Sequence, residues 1–123
     1  MPKSKPLISV VDDDEAMREA LRRLMKSLGY TAEAFASAED FLSSRQIPGT
    51  SCLIADVQMP GMTGLELYHH LVAAGKTIPT ILITAYPDDS MRERALGDGV
   101  ICYLSKPFDE NDLLACIHSS ITI

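Results

Sequence analysis

Three apolar runs in this chain stop abruptly at charge. Leu7-Ile8-Ser9-Val10-Val11 runs into Asp12 and Asp13, Cys52-Leu53-Ile54-Ala55 into Asp56, and Ile101-Cys102-Tyr103-Leu104 is followed, one serine later, by Lys106. Short continuous apolar runs of this kind read as strands buried on both faces. A carboxylate or ammonium at the end of such a strand is costly unless something pairs it. Parallel strands carry like ends to one edge of the sheet, so these three ends can meet in a single crevice. Clustered acids there suggest a divalent cation. Hard cations such as Mg2+ take oxygen ligands in near-octahedral array and keep waters, so two or three carboxylates and a backbone carbonyl suffice. A lysine opposite them would face an anion, most simply a phosphoryl group.

Between these runs the periodicity changes. Met17, Ala20, Leu21, Leu24, Met25 and Leu28 recur at helical spacing until Gly29 stops the helix. Thr31 to Ala36 alternates weakly, as a strand does. Ser37-Ala38-Glu39-Asp40 resembles a capping box opening a short helix, and Pro48-Gly49 turns the chain into the strand from Cys52. Thr63-Gly64-Leu65-Glu66 is a second capping box, opening a helix that runs to about Gly75. The strand Thr80 to Ile83 follows, then a poorly apolar helix around Met91 to Leu96, broken at Gly97 and Gly99. After the strand from Ile101 to Leu104, a last helix starts near Asp109 and buries Leu113, Ile117 and Ile121. Five strands alternating with five helices predict an α/β fold, a doubly wound parallel sheet covered on both faces.

The 123 residues make one domain, with residues 1–6 as a polar leader and about 7–121 as its structured core. Lys and Arg number 11 against 17 Asp and Glu, and no basic block offsets the net charge of -6, so this segment is not expected to touch nucleic acid. Nothing approaches the roughly 18 consecutive apolar residues of a membrane span, and no secretory signal is present, which makes the cytoplasm the expected location. Cys52, Cys102 and Cys116 lack metal-ligand spacing and read as three small buried hydrophobes in a reducing compartment.

Val11-Asp12-Asp13, the segment Asp56-Val57-Gln58-Met59-Pro60-Gly61-Met62-Thr63-Gly64, Thr84-Ala85 and Lys106-Pro107-Phe108 resemble, in order and spacing, the signatures of response-regulator receiver domains of two-component systems. The resemblance covers the chain from about Leu7 to Ile121. Ser37-Ala38-Glu39-Asp40-Phe41-Leu42 and the Thr84 to Asp89 loop are similar to the receivers of FixJ-type transcriptional regulators. The family implies a flavodoxin-like fold with strand order 2-1-3-4-5, a Mg2+ site (Mn2+ being an acceptable substitute), and phosphoryl transfer from a sensor histidine kinase to one aspartate. Such a domain catalyses only its own phosphorylation and dephosphorylation. Its signal is expected to leave through the fourth helix, fifth strand and fifth helix, to a homodimer or an effector, with DNA reached only through an output domain.

Each role competes with a plainer one. Asp12 and Asp13 serve as helix caps in the plain reading, but capping needs one acid, and four stand together from Asp12 to Glu15. The resemblance gives Asp13 direct metal coordination and Asp12 coordination chiefly through water, leaving Asp14 and Glu15 to the helix N-terminus. Asp56 is either an ordinary loop acid before a turn or, as the resemblance implies, the phosphoacceptor, with the backbone carbonyl of Gln58 completing the metal's protein ligands. Thr84 is a β-branched strand residue or a hydroxyl for a phosphoryl oxygen, with the Ala85 N–H donating to another. Lys106 is a solvated lysine or the phosphoryl cation, and a cis bond to Pro107 would aim it inward. Tyr103 is an edge aromatic or the residue that swings inward when Thr84 is drawn to the phosphoryl group. His69 and His70 have no acid at useful spacing and read as solvated.

Two side chains bear on the lifetime of a phosphoaspartate. Gln58 can hold a water by its amide, whereas Tyr86, stiffened by Pro87, can lie over the phosphoryl group and exclude solvent; in the plain reading it points to solvent or contacts the kinase. Three rival functions stay open. A nucleotide or flavin binding module on the same fold would need a Gly-rich phosphate loop after the first strand, and Asp12-Asp13-Asp14 is the electrostatic opposite of one. A Mg2+-dependent phosphatase of haloacid dehalogenase type would need Asp-x-Asp-x-Thr/Val, and Asp12-Asp13-Asp14-Glu15-Ala16 lacks the last residue. A degenerate receiver that never takes phosphate would serve only as an interaction module.

Overall fold

The computed structural model describes residues 5–121, so most of the expected leader, residues 1–4, lies outside the described residues. The chain runs β1 (Leu7–Val11), α1 (Glu15–Ser27), β2 (Thr31–Phe35), α2 (Ala38–Leu42), a short 3-10 turn (Ile47–Gly49), β3 (Thr50–Asp56), α3 (Gly64–Ala73), β4 (Thr80–Thr84), α4 (Asp89–Asp98), β5 (Cys102–Ser105) and α5 (Glu110–Ile121). All strand pairings are parallel and the order is β2-β1-β3-β4-β5, as the resemblance implies. Among the described residues no helix is long and apolar enough to cross a membrane.

The two-residue period of the strands sorts their side chains into two cores. Val11, Leu53, Ala55 and Leu82 face one way, toward Phe41 of α2, Leu67 and Leu71 of α3 and Ala95 of α4. Ile8, Val10, Ile54, Ile81 and Ile83 face the other, toward Leu21 and Met25 of α1 and Leu113 and Ile117 of α5. Fully burying each large aliphatic contributes about 1.5–3 kcal/mol, so the central strands are held from both sides. The order reverses at β1, whose neighbours are β2 and β3. The crevice of such a reversal lies over the carboxyl ends of β1 and β3, where Asp12 and Asp56 stand.

Local chemistry sets the helix ends. Thr63 and Glu66 form the expected reciprocal capping box of α3. At α2 the cap is one-way: Ser37 accepts from the Asp40 N–H, and the short Asp40 side chain gives no return bond. Two expectations are corrected. Gly97 does not break α4, which continues through Asp98; Gly99, at φ 114°, ends it. A glycine inside a helix costs stability without forbidding the conformation, whereas the left-handed cap requires one. The cysteines also divide. Cys102 of β5 and Cys116 of α5 are disulfide-paired with Cα atoms 6.2 Å apart, while Cys52 alone is the free buried hydrophobe, its thiol pushed up to about 11 by burial. Both paired residues face the α1/α5 core, a juxtaposition that their separation in sequence does not reveal.

Candidate functional site

The backbone ladder carries the acids into the crevice. The Asp12 N–H donates to the Phe35 carbonyl at 3.1 Å, one step past β1, and the Val57 N–H donates to the Ile83 carbonyl at 2.8 Å, one step past β3. Asp12 is fully buried and Asp56 is 6% exposed, whereas Asp13 is exposed. Carboxylate oxygens of Asp12, Asp13 and Asp56 all lie within 4.8 Å of one another. Lys106 reaches in from the end of β5: its Nζ donates to Asp12 Oδ2 at 3.1 Å and to Asp56 Oδ2 at 3.2 Å. The Lys106–Pro107 peptide is cis.

The remaining carboxylate oxygens are tied to backbone. Asp12 Oδ1 accepts from the Asp14 N–H at 2.9 Å, and Asp56 Oδ1 from the Gln58 N–H at 3.2 Å. Asp14 caps α1 through the Ala16 and Met17 N–H groups, as expected. Burial pushes the Asp56 carboxyl above its ordinary range and the Asp12 charge adds to the rise, with Lys106 and the Gln58 N–H offsetting only part of it. Burial pulls the Lys106 ammonium down, but its hydrogen bond and charge pairing with Asp12, and those with Asp56, outweigh this and leave its pKa raised.

Three carboxylates against one ammonium leave the cluster short of two positive charges when all are ionised. All-oxygen donors in that number, with that charge, suit one hard divalent cation of the Mg2+ type. The donor set therefore fits the metal that the sequence suggests. Next to it, Thr84 ends β4 fully buried, and Ala85 follows as an exposed small residue.

Several further groups support the site, of which Arg18 and Glu39 carry no local sequence signal. Arg18 Nη1 donates to the Asp12 carbonyl at 2.8 Å and holds the β1–α1 loop. Glu39 Oε2 accepts the Met62 N–H at 3.2 Å, tying α2 to the loop after Asp56. Gly64 has a definite steric reason: a Cβ there would run into the backbone carbonyl of Asp56 and the Leu82 side chain. Buried Val57 and Met59 anchor the same loop from below. Gly64 is legible in the sequence as a glycine inside a capping box close to the acid.

The switch and lifetime candidates lie at the rim. Tyr103 is half-buried against the α2/α3/α4 core, and its hydroxyl accepts from the Asp88 N–H at 3.4 Å, at the start of α4. Tyr86 is 72% exposed, so its ring sits mostly in solvent, and its backbone N–H donates to Thr84 Oγ1 at 2.9 Å. Gln58 is exposed, and its amide oxygen accepts from the Thr84 hydroxyl at 2.6 Å. His69 is not simply solvated: its Nε2 lies 2.6 Å from Asp98 Oδ2, an acid 29 residues away that α4 brings alongside α3.

The profile of the response regulator receiver domain matches residues 8–118. The chain is 38% identical over 123 residues to the response regulator protein TmoT of Ectopseudomonas mendocina, covering 100% of this chain and 56% of that one. It is 37% identical over 120 residues to the transcriptional regulatory protein FixJ of Bradyrhizobium diazoefficiens, covering 96% and 58%. The structure of the response regulator StyR superposes with a TM-score of 0.88 at 43% identity, over 96% of this chain and 60% of that one. The chain thus spans a little over half the length of these relatives.

Proposed function

This chain belongs to the response regulator receiver domain family, and on that premise we propose that Asp56 accepts a phosphoryl group from the phosphohistidine of a sensor histidine kinase, in a Mg2+-dependent reaction. The observation that carries the reading is the convergence of Asp12, Asp13, Asp56 and Lys106 at three strand ends. An Asp56 carboxylate oxygen attacks phosphorus, and the bond from phosphorus to the histidine nitrogen breaks. Its electron pair stays on the imidazole, and the product is an aspartyl phosphate. Lys106 Nζ, 3.2 Å from the attacking carboxylate, takes one phosphoryl oxygen. The Thr84 hydroxyl and the Ala85 N–H take others. Asp13, Asp56 and the Gln58 carbonyl would hold Mg2+, with Asp12 contributing through water; the bound cation neutralises charge between the two anions, and Mn2+ would serve in its place.

Drawing Thr84 toward the phosphoryl group opens space into which Tyr103 moves, leaving its contact at the start of α4. The α4–β5–α5 face then changes shape and favours a homodimer or an effector. Contact with DNA through an output domain belongs to the same proposal, since the relatives extend well beyond the length matched here. A phosphatase of the haloacid dehalogenase type is disfavoured by the family match and by Ala16 where that motif needs Thr or Val.

Incubation with Mg2+ and acetyl phosphate tests the reading. One phosphoryl group per chain is expected by intact mass, none in Asp56→Asn, and sedimentation should show the phosphorylated form self-associating. Wild-type labelling of Asp56→Asn would remove Asp56 from its role. An unchanged sedimenting mass would leave effector docking as the output.

A further inference from the structure

A threonine hydroxyl has one proton to give, and in this structure that proton is already engaged. Thr84 Oγ1 donates to Gln58 Oε1 at 2.6 Å and accepts from the Tyr86 N–H at 2.9 Å, so the hydroxyl is satisfied in both directions without any phosphoryl group. Thr84 is fully buried, which makes an unengaged hydroxyl there costly. Gln58 is exposed and stands two residues beyond Asp56, with its backbone N–H on Asp56 Oδ1 at 3.2 Å. One residue therefore touches the acceptor carboxylate with its backbone and the switch hydroxyl with its side chain. The contact joins the loop after β3 to the end of β4, 26 residues apart in sequence.

We propose that the Gln58 side chain is a positioning latch on Thr84: its amide oxygen holds the hydroxyl proton in the resting domain, and a phosphoryl oxygen on Asp56 must compete for that same proton. This rests on the reading of Asp56 as phosphoacceptor and Thr84 as phosphoryl partner, and adds the element that sets the threshold of the switch. The competition is exclusive because the donor has a single proton. Lys106 faces no such choice, since an ammonium has three protons to share among Asp12, Asp56 and a phosphoryl oxygen. Removing the latch acceptor should therefore favour the phosphorylated geometry at Thr84 while leaving the ammonium and the carboxylates as they are.

The test uses beryllofluoride with Mg2+, a non-covalent stand-in for the phosphoryl group, so that affinity is read at equilibrium and hydrolysis plays no part. Tyrosine fluorescence reports binding, the chain having four Tyr and no Trp. Gln58→Leu and Gln58→Met should bind beryllofluoride roughly threefold to tenfold more tightly than wild type, the factor that one neutral hydrogen bond of ordinary net strength represents. The gain should persist in a Thr84→Ser background, which keeps the hydroxyl, and vanish in Thr84→Val, which removes it. A merely local role for Gln58 would shift affinity equally in all three backgrounds, and that result overturns the latch, as does unchanged or weaker binding in both Gln58 variants. Failure of wild type itself to bind beryllofluoride, or undiminished binding by Asp56→Asn, would instead overturn the assignment of the site.

Discussion

Asp56 is a residue the fold holds at a cost. Its carboxyl is almost wholly buried beside a second acid, and its pKa lies above the ordinary 3.8 chiefly because burial disfavours the charged form. An acid whose folded-state pKa is raised binds its proton more tightly in the fold than in the unfolded chain, so stability falls as pH rises from about 3.8 through the folded value. Asp56→Asn removes that loss while Lys106 keeps Asp12 as its partner. In metal-free buffer at pH 7 the variant should melt above wild type, with the gap closing as pH is lowered below the ordinary carboxylate range. A variant less stable than wild type at pH 7 would show that the carboxylate's hydrogen bonds outweigh its burial. The acids and Lys106 were legible in sequence because charge at the end of an apolar strand demands a partner. The side-chain partners of Gln58 and His69 were not legible. Both contacts bridge segments more than 25 residues apart and depend on how loops and helix ends pack, which carries no local period.

Elements with a strong apolar period are legible in the sequence, and those with a weak one are not. The apolar strands and α1 were placed to within a residue or two, and the Thr63 box marked the start of α3. Helix α4 buries only Ala95 fully, so its apolar period is too weak to mark its extent and its glycines are the remaining local signal, of which Gly97 is not a break. The structure separates the two glycines. Nothing lies within 4 Å of a Cβ placed at Gly97, whereas Gly99 has φ 114° and its added Cβ would strike the Tyr68 hydroxyl, which donates to the Asp98 carbonyl at 3.0 Å. Gly97→Ala should raise stability in urea by about 0.5–1 kcal/mol through helix propensity. Gly99→Ala should lower it by about 1 kcal/mol or more, since alanine resists the left-handed cap and the collision loosens the α3–α4 contact. Equal effects at both positions would show that α4 ends before Gly97 in solution.

Over the whole molecule, the fold supplies what no single segment can: the reversal of strand order at β1 brings residues 12, 56 and 106 together from three strand ends. That arrangement couples a local charge imbalance to global stability. In the unfolded chain Asp12 and Asp13 are distant from Asp56, whereas in the folded chain their oxygens lie within 4.8 Å. A divalent cation that needs all three therefore binds the folded state alone and stabilises it by mass action. At free Mg2+ near one hundred times its dissociation constant the gain is about 2.7 kcal/mol, and for a domain of this size the melting temperature should rise by roughly 10 °C. Chelation should reverse it. Asp13 is the informative position because it is exposed, so Asp13→Ala leaves both cores and the Lys106 pairs intact while removing one donor. The variant should melt at or above the wild-type temperature without metal, having shed one like charge, and lose most of the Mg2+-dependent rise. A full rise in Asp13→Ala would take Asp13 out of the metal site and leave the cation to Asp12 and Asp56, whose shared lysine would then have to give way.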